Sequence, residues 1–372
     1  MVKTTFTPEE RLNAAIKLAP VDRVPCAPLI DDYAARFAGI SNYDFLFVRD
    51  KAFDALAQIR ARFPVWDIRR SLYHFYYGPH HNKIWVLKNK IPGIDLPTGY
   101  EYQLVETVVM KREDYSIIIE KGYHDYMLEF YRRVHGASEN AVETALSERQ
   151  QLLLDETLAA EKCGQINLYG ELLVFSGDLI SLTRSFPEFI RDTFQIPEVM
   201  EEVISLVTDL QIAEYLKTIK KTGIPRIMIG IARMSGQFFS LSFFERFVWP
   251  FLKRYVDRFL NAGITPFLHL DGDWSRNLPY FLELPPKSIV LELDGSTDIF
   301  KAKQLLKNHC CLLGDVPATL FTIGTQKKVK TYCQRLIDVI GDGGGFILSS
   351  GCTLPYKAKH ANVAAFFDSI SN

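Results

Sequence analysis

Eight short apolar or β-branched runs, most of them separated by longer amphipathic segments, limit the possible folds more than any other feature of this chain. The runs are "VPCAPLI" (24–30), "VWDI" (65–68), "INLYGELL" (166–173), "PRIMIG" (225–230), "TPFLHLDG" (265–272), "SIVLELDG" (288–295), "CCLLGDVP" (310–317) and "GFILSSGC" (345–352). Between the later runs lie "PEVMEEVISLVTDLQIAEYLKTIKKTG", "FFERFVWPFLKRYVDRFLNAG", "IFKAKQLLKN" and "KKVKTYCQRLIDVIGDG", several of which end in Gly or Asn as helices do. Thr7-Pro8-Glu9-Glu10 opens the first helix with an N-cap, a proline at the first helical position and a Glu three residues past the cap. Strands alternating with helices call for a parallel α/β architecture, and eight of them make most simply a (β/α)8 TIM barrel. Two packed α/β domains would satisfy the same alternation. No Pro/Ser/Gly-rich linker divides the chain, however, so residues 1–372 read as a single barrel domain. Residues 71–125 break the rhythm with "SLYHFYYGPHHNKIWVLKN" and "EYQLVETVVMKREDYSI" and read as a hairpin-rich insertion, a lid over the barrel mouth. The helical pattern resumes over 137–162.

Charge removes several classes of function. Lys+Arg is 43 against Asp+Glu 44, which gives no overall field to attract nucleic acid or an anionic membrane. No stretch approaches the roughly 18–20 uninterrupted apolar residues of a membrane span. The opening "MVKTTFTPEERL" has no apolar signal core, so the expected location is cytoplasmic. Six cysteines in a chain of this length read as thiols, ligands or core filler rather than a disulfide framework.

In a barrel of this kind functional residues gather at the carboxyl ends of the strands. The fifth run ends in His269-Leu270-Asp271, the sixth in Glu292-Leu293-Asp294, the seventh in Gly314-Asp315 and the eighth in Ser350-Gly351-Cys352. His269 and Asp271 are two apart and leave the same face of a strand. One imidazole, one thiolate and two carboxylates form a sensible tetrahedral zinc set, or three ligands with an open position. The candidate ligands are therefore His269, Asp271, Glu292 and Cys352. Glu292 and Asp294 share a face, and spacing does not separate them. A His and an Asp after a strand also serve as helix caps or loop anchors, and Asp273 suits such a cap. Cys310 and Cys311 begin their run, which places them at the opposite end of the barrel. Cys26, Cys163 and Cys333 sit in apolar or helical settings. His80-His81 follow an apparent turn, and "GDGGGF" (341–346) precedes a strand rather than a helix, so it reads as a tight turn and not a phosphate loop. Tyr169 and Glu171 after the third run, and Met234, Gln237 and Phe238 after the fourth, fall on the same rim as candidate substrate contacts. Tyr73, His74, Phe75, Tyr76 and Tyr77 in the lid could stack on an aromatic ring.

Several segments resemble the uroporphyrinogen decarboxylase superfamily: "TPEERLNAAIKLAPVDRVP", "FFERFVWPFLKRYVDRFLNAG", "DGSTDIFKAKQLL", "LLGDVPATLFTIGT" and "GGFILSSGCTLP". The resemblance implies a (β/α)8 barrel and one of two chemistries. The metal-free decarboxylases carry a basic R-Q-A-G-R type motif for porphyrinogen carboxylates; "VWDIRRSLYHF" (65–75) is a poor stand-in for it. The other branch moves methyl groups to or from corrinoid proteins and binds zinc through His-x-Cys…Cys, sometimes with a Glu between. This chain has His269-x-Asp271…Glu292…Cys352, matching the last cysteine and departing at Asp271. A carboxylate in place of a thiolate hardens the site and suits it to an oxygen ligand. The chain thus looks like the O-demethylase methyltransferases, which pass the methyl of a methoxylated aromatic to the Co(I) of a cobalamin-type corrinoid carried by a partner protein. A phenolate, with a conjugate-acid pKa of about 10 by analogy with tyrosine, is a poor leaving group that a Lewis acid would assist. Metal-free decarboxylation, a non-catalytic barrel, and methyl transfer to a thiol such as coenzyme M are the competing readings.

Overall fold

The computed structural model describes residues 6–70 and 81–370. Among the described residues there are ten strands: β1 (Ile68–Arg69), β2 (Lys88–Lys90), β3 (Gln103–Val105), β4 (Ile166–Asn167), β5 (Glu171–Val174), β6 (Arg226–Ile231), β7 (Thr265–Leu270), β8 (Val290–Leu293), β9 (Cys311–Val316) and β10 (Phe346–Ser350). A parallel six-stranded sheet runs β10-β9-β8-β7-β6-β5, and β1 pairs in parallel with β4. The strand pair β4 and β5 forms one stave, since Gly170 N donates to Arg226 O at 2.9 Å between them. The circuit closes around Cys26: Ala27 N reaches Leu348 O at 2.9 Å, and Ile68 N reaches Cys26 O at 3.2 Å. The fold is the expected (β/α)8 barrel. Its first stave is only a bridge at Cys26, because Pro25 and Pro28 have no N–H to donate to a ladder.

Period-two alternation sorts the staves into two cores. Ala27, Ile68, Leu168, Met228, Phe267, Val290, Cys311, Leu313 and Ile347 point inward and pack together. Leu12, Ala15 and Ile16, from the helix Pro8–Ile16, plug the amino end of this inner core. That helix starts where expected: Thr7 Oγ1 accepts from Glu10 N at 3.2 Å, and Thr7 N donates to Glu10 Oε2 at 2.8 Å. Cys311 lies in the inner core and Cys310 in the larger one between strands and outer helices, far from the carboxyl ends. The segment "FFERFVWPFLKRYVDRFLNAG" forms two helices, Leu241–Phe247 and Trp249–Asn261, with the break just before Pro250, which sits in the second helix's first turn.

The insertion departs from a purely hairpin reading. β2 and β3 form one antiparallel pair of three residues each, and the chain then turns helical over Asp114–Lys121 and Tyr123–His135. The helical turn is set locally, by Asp114 Oδ2 accepting from Lys111 N at 2.8 Å. The loop between β2 and β3 reaches the rim of the barrel: Glu101 Oε1 accepts from Tyr356 N at 2.6 Å, and Tyr100 O from Asn42 Nδ2 at 2.7 Å. Among the described residues no helix is long and apolar enough to cross a membrane.

Candidate metal centre

Parallel register lays the inward side chains out in levels. In β7, Phe267 belongs to the inner core, and the next inward residue, His269, stands one level higher, directly across from Glu292 of β8. Arg70, just past β1, and Tyr169, between β4 and β5, join that level. His269 Nδ1 lies 3.0 Å from Glu292 Oε2, Arg70 pairs with the same carboxylate oxygen, and Arg70 Nε donates to Tyr169 Oη at 2.9 Å. Arg70 and Glu292 are both buried. Glu292 thus stands behind the imidazole, as the carboxylate partner of a metal-binding histidine does, and fixes which ring nitrogen faces the mouth.

One level up, Asp271 Oδ1 lies 3.3 Å from His269 Nε2. Donor atoms of His269, Asp271 and Cys352 all lie within 4.8 Å of one another. Two ligands at 2.0–2.1 Å from a tetrahedral centre stand about 3.3 Å apart, so the His–Asp spacing is that of atoms sharing an ion. Two glycines allow the convergence. Gly272, at φ +82°, could carry a Cβ only 2.7 Å from Gln237 Oε1, and a Cβ on Gly351 would come to 2.3 Å from the Asp294 carbonyl oxygen. The fully buried Trp274 anchors the loop by donating from Nε1 to Asp271 O at 2.9 Å.

Of the two acids that spacing could not separate, Asp294 is occupied elsewhere. Its carboxylate accepts from Gly272 N at 2.8 Å and Ser296 N at 2.7 Å, tying adjacent loops together. Asp273 accepts from Ser275 N at 2.9 Å and closes a turn rather than capping a helix.

The charges favour a cation. Burial opposes protonation of His269, but Asp271, Cys352 and Glu292 outweigh it and hold its pKa well above the ordinary histidine value. Desolvation works against the Cys352 thiolate, yet the hydrogen bond and charge of His269 prevail and its pKa lies below the usual cysteine value. Desolvation likewise opposes the Glu292 carboxylate, and Arg70 and His269 reverse it to leave that pKa low. One nitrogen, one oxygen and one sulfur donor at a solvent-reached mouth, with an oriented imidazole, fit a zinc ion with an open position.

The remaining candidates scatter. Tyr169 is buried beneath the donor triad, edge-on to Phe267 at 5.8 Å between centroids. Met234 is fully buried and packs into the larger core. Phe238 is exposed and meets Phe186 edge to face at 5.5 Å. Gln237 stays at the mouth, where its Oε1 accepts from Asp273 N at 3.0 Å. Glu171 pairs with Arg149 at 3.1 Å, beside a cavity of about 510 Å³ that Arg149, Leu172, Tyr123 and Tyr215 help to line. None of the donor triad lines that cavity. Tyr73, His74, Phe75, Tyr76 and Tyr77 lie outside the described residues. Two buried acids at the mouth were missed: Asp178, which accepts from Ala232 N at 3.1 Å and Arg233 N at 2.8 Å, and Asp31. Burial pushes the Asp178 pKa up to about 7. The pair "DD" at the end of the first run was a legible signal for Asp31, by the strand-end rule that singled out His269.

Comparison with known proteins agrees with this architecture. The chain is 23% identical over 209 residues to the methylcobamide:CoM methyltransferase MtbA of Methanosarcina acetivorans, an alignment covering 55% of this chain and 60% of that protein. A solved structure, a methyltransferase from Methanosarcina mazei, superposes with a TM-score of 0.70 over 98% of both chains at 16% identity. The family description "Uroporphyrinogen decarboxylase (URO-D)" matches residues 178–372, just over half the sequence and the part that supplies His269, Asp271, Glu292 and Cys352. The chain belongs to the uroporphyrinogen decarboxylase family.

Proposed function

We propose that this protein is a zinc-dependent methyltransferase that takes the methyl group of a methoxylated small molecule, aromatic in our reading, and passes it to the Co(I) of a corrinoid protein in the cytoplasm. The observation that carries the reading is the donor triad His269, Asp271 and Cys352 at the barrel mouth. The likeness to a corrinoid-linked methyltransferase supports it. Zinc held there would supply Lewis acidity toward the ether oxygen, on which negative charge builds as its methyl bond breaks. The chain's residues do the rest. Glu292, held by Arg70, keeps the His269 ring turned so that Nε2 faces the mouth. Asp271 contributes a hard oxygen donor, and Trp274 keeps its loop in place. Cys352 contributes the sulfur that keeps the site selective for zinc over magnesium. The β2–β3 loop is tied to the rim through Glu101 and Tyr100.

The name of the relative favours a second reading, transfer of a methyl group from a methylated corrinoid to a thiol. Thiol-activating sites are sulfur-rich, and this triad has one sulfur, which is why an oxygen-bound donor is preferred. The test follows the cobalt spectrum of a reduced corrinoid protein with a panel of methoxybenzenes, and in parallel that of the methylated corrinoid protein with coenzyme M. About one zinc per chain, lost in Cys352→Ala and His269→Ala, and cobalt methylation by a methoxybenzene support the first reading. Demethylation by the thiol alone selects the second. Folded protein without zinc, indifferent to the His269 change, overturns both in favour of a decarboxylase or a binding protein.

A further inference from the structure

Asp31 is the residue at the mouth whose position the donor triad does not explain. It is 0% exposed, and neither carboxyl oxygen has a hydrogen-bond partner among the described residues. Its neighbour Asp32 is also buried, with Oδ1 unpartnered. A buried polar group without a partner costs about 1–3 kcal/mol, and more when charged, so the arrangement is unfavourable unless something completes it.

The backbone just before this acid runs beside the segment that carries Cys352. Leu29 N donates to Ser350 Oγ at 3.1 Å, and Leu29 O accepts from Leu354 N at 2.9 Å. Cys352 lies between those two partners, and Asp31, two residues beyond Leu29, precedes the helix Asp32–Ala38. The charge of Cys352 is among those that act on the Asp31 carboxyl. Among the described residues, the other charges that act on Asp31 belong to Asp32 and Glu101, both acids.

We infer that Asp31 is a specificity-determining residue, which accepts a hydrogen bond from a hydroxyl or ammonium group on the methyl donor and excludes carboxylates. The inference rests on the proposed reading of the mouth as a small-molecule methyl-donor site. Whatever its protonation state, a carboxyl keeps at least one acceptor oxygen. An anionic group received there would be buried without a basic partner among the described residues, which is costly. Asp31 is fully buried in this structure, so a ligand reaches it only when the segments over it part.

The test measures binding by titration calorimetry with zinc-loaded protein and four probes: methoxybenzene, 2-methoxyphenol, 2-methoxybenzylamine and 2-methoxybenzoate. The expected result is at least tenfold tighter binding of the phenol or the amine than of the other two, with the tighter of that pair identifying the group received. In Asp31→Leu and Asp31→Asn this preference falls, furthest in Asp31→Leu. The thermal midpoint of ligand-free Asp31→Leu stays level or rises, because an unsatisfied buried acid has been removed; a purely structural Asp31 would lower it. Equal binding of all four probes, no binding of any, or an unchanged preference in both variants overturns the inference. Asp31-dependent binding without cobalt methylation leaves this assignment standing and removes the methyl-transfer reading instead.

Discussion

Glu292→Gln tests whether the carboxylate acts through His269 or as a ligand in its own right. In the wild type it sits 3.0 Å from His269 Nδ1 and pairs with Arg70, with side-chain exposures of 2% for Glu292 and 1% for Arg70. Removing one partner of a buried pair costs about 3–5 kcal/mol. The amide keeps one oxygen that can accept from Arg70, so the expected loss is at the low end, about 3 kcal/mol, read from urea unfolding of the metal-free protein. Losing the partner behind a metal-binding histidine weakens the metal by about 10–100-fold. Zinc affinity, measured by competition with a chelator, is therefore expected to fall by that factor while the stoichiometry stays at one. Cys352→Ala and His269→Ala, which delete donors, should fall further. A Glu292→Gln protein that loses zinc as completely as Cys352→Ala would make Glu292 a ligand, and one with unchanged affinity would mean that His269 is oriented by something else. Either result refutes the reasoning.

Gly351→Ala should weaken zinc more than Gly272→Ala, because its Cβ would strike the Asp294 backbone carbonyl at 2.3 Å whereas the Gly272 Cβ meets the movable end of Gln237. For Gly272→Ala the left-handed backbone at φ +82° adds about 1–2 kcal/mol of destabilisation, measurable in urea. Trp274→Phe removes the N–H donor to the Asp271 carbonyl and should lower stability by about 1 kcal/mol, with a parallel loss of zinc affinity in the same chelator assay. Trp274→Ala adds a cavity in the core, for about 3–5 kcal/mol in total. Asp114 supplies a pH test away from the site. Burial opposes its carboxylate, but Arg133 at 2.6 Å and the Lys111 N–H prevail and hold its pKa below the ordinary aspartate value. A depressed folded pKa stabilises at neutral pH and loses that contribution as pH falls through it. Arg133→Met should therefore cost about 1 kcal/mol at neutral pH and nothing once Asp114 is protonated in both states, as followed by urea unfolding across pH.

What the sequence could reveal was level, and what it could not reveal was contact. The apolar runs were legible because inward and outward residues of a parallel stave are both buried, giving near-continuous hydrophobic stretches that stand out between helices. Strand ends then placed His269, Glu292 and Cys352 at one end of the barrel, and alternation turned His269 and Asp271 to the same face. Nothing in that pattern distinguishes a donor at the mouth from a carboxylate one level below it. Glu292 lies across from His269, a full level beneath Asp271, and only the arrival of Arg70, from a strand more than two hundred residues earlier, gives its carboxylate a partner other than the imidazole. The same limit applies to Met234, whose position after β6 was readable and whose full burial was not. It also applies to the insertion, where the Asp114 side chain that accepts from Lys111 N at the start of the helix is a contact the pattern does not display. Asp31 marks the opposite case: its position was readable, and its lack of a partner was not. Partnership separates the two buried carboxylates: Glu292 is held through Oε2 by Arg70, with Oε1 unpartnered, while neither oxygen of Asp31 has a partner among the described residues. A carboxylate with a fixed partner serves the scaffold, and one left without a partner beside the donor triad is where a ligand can add binding energy.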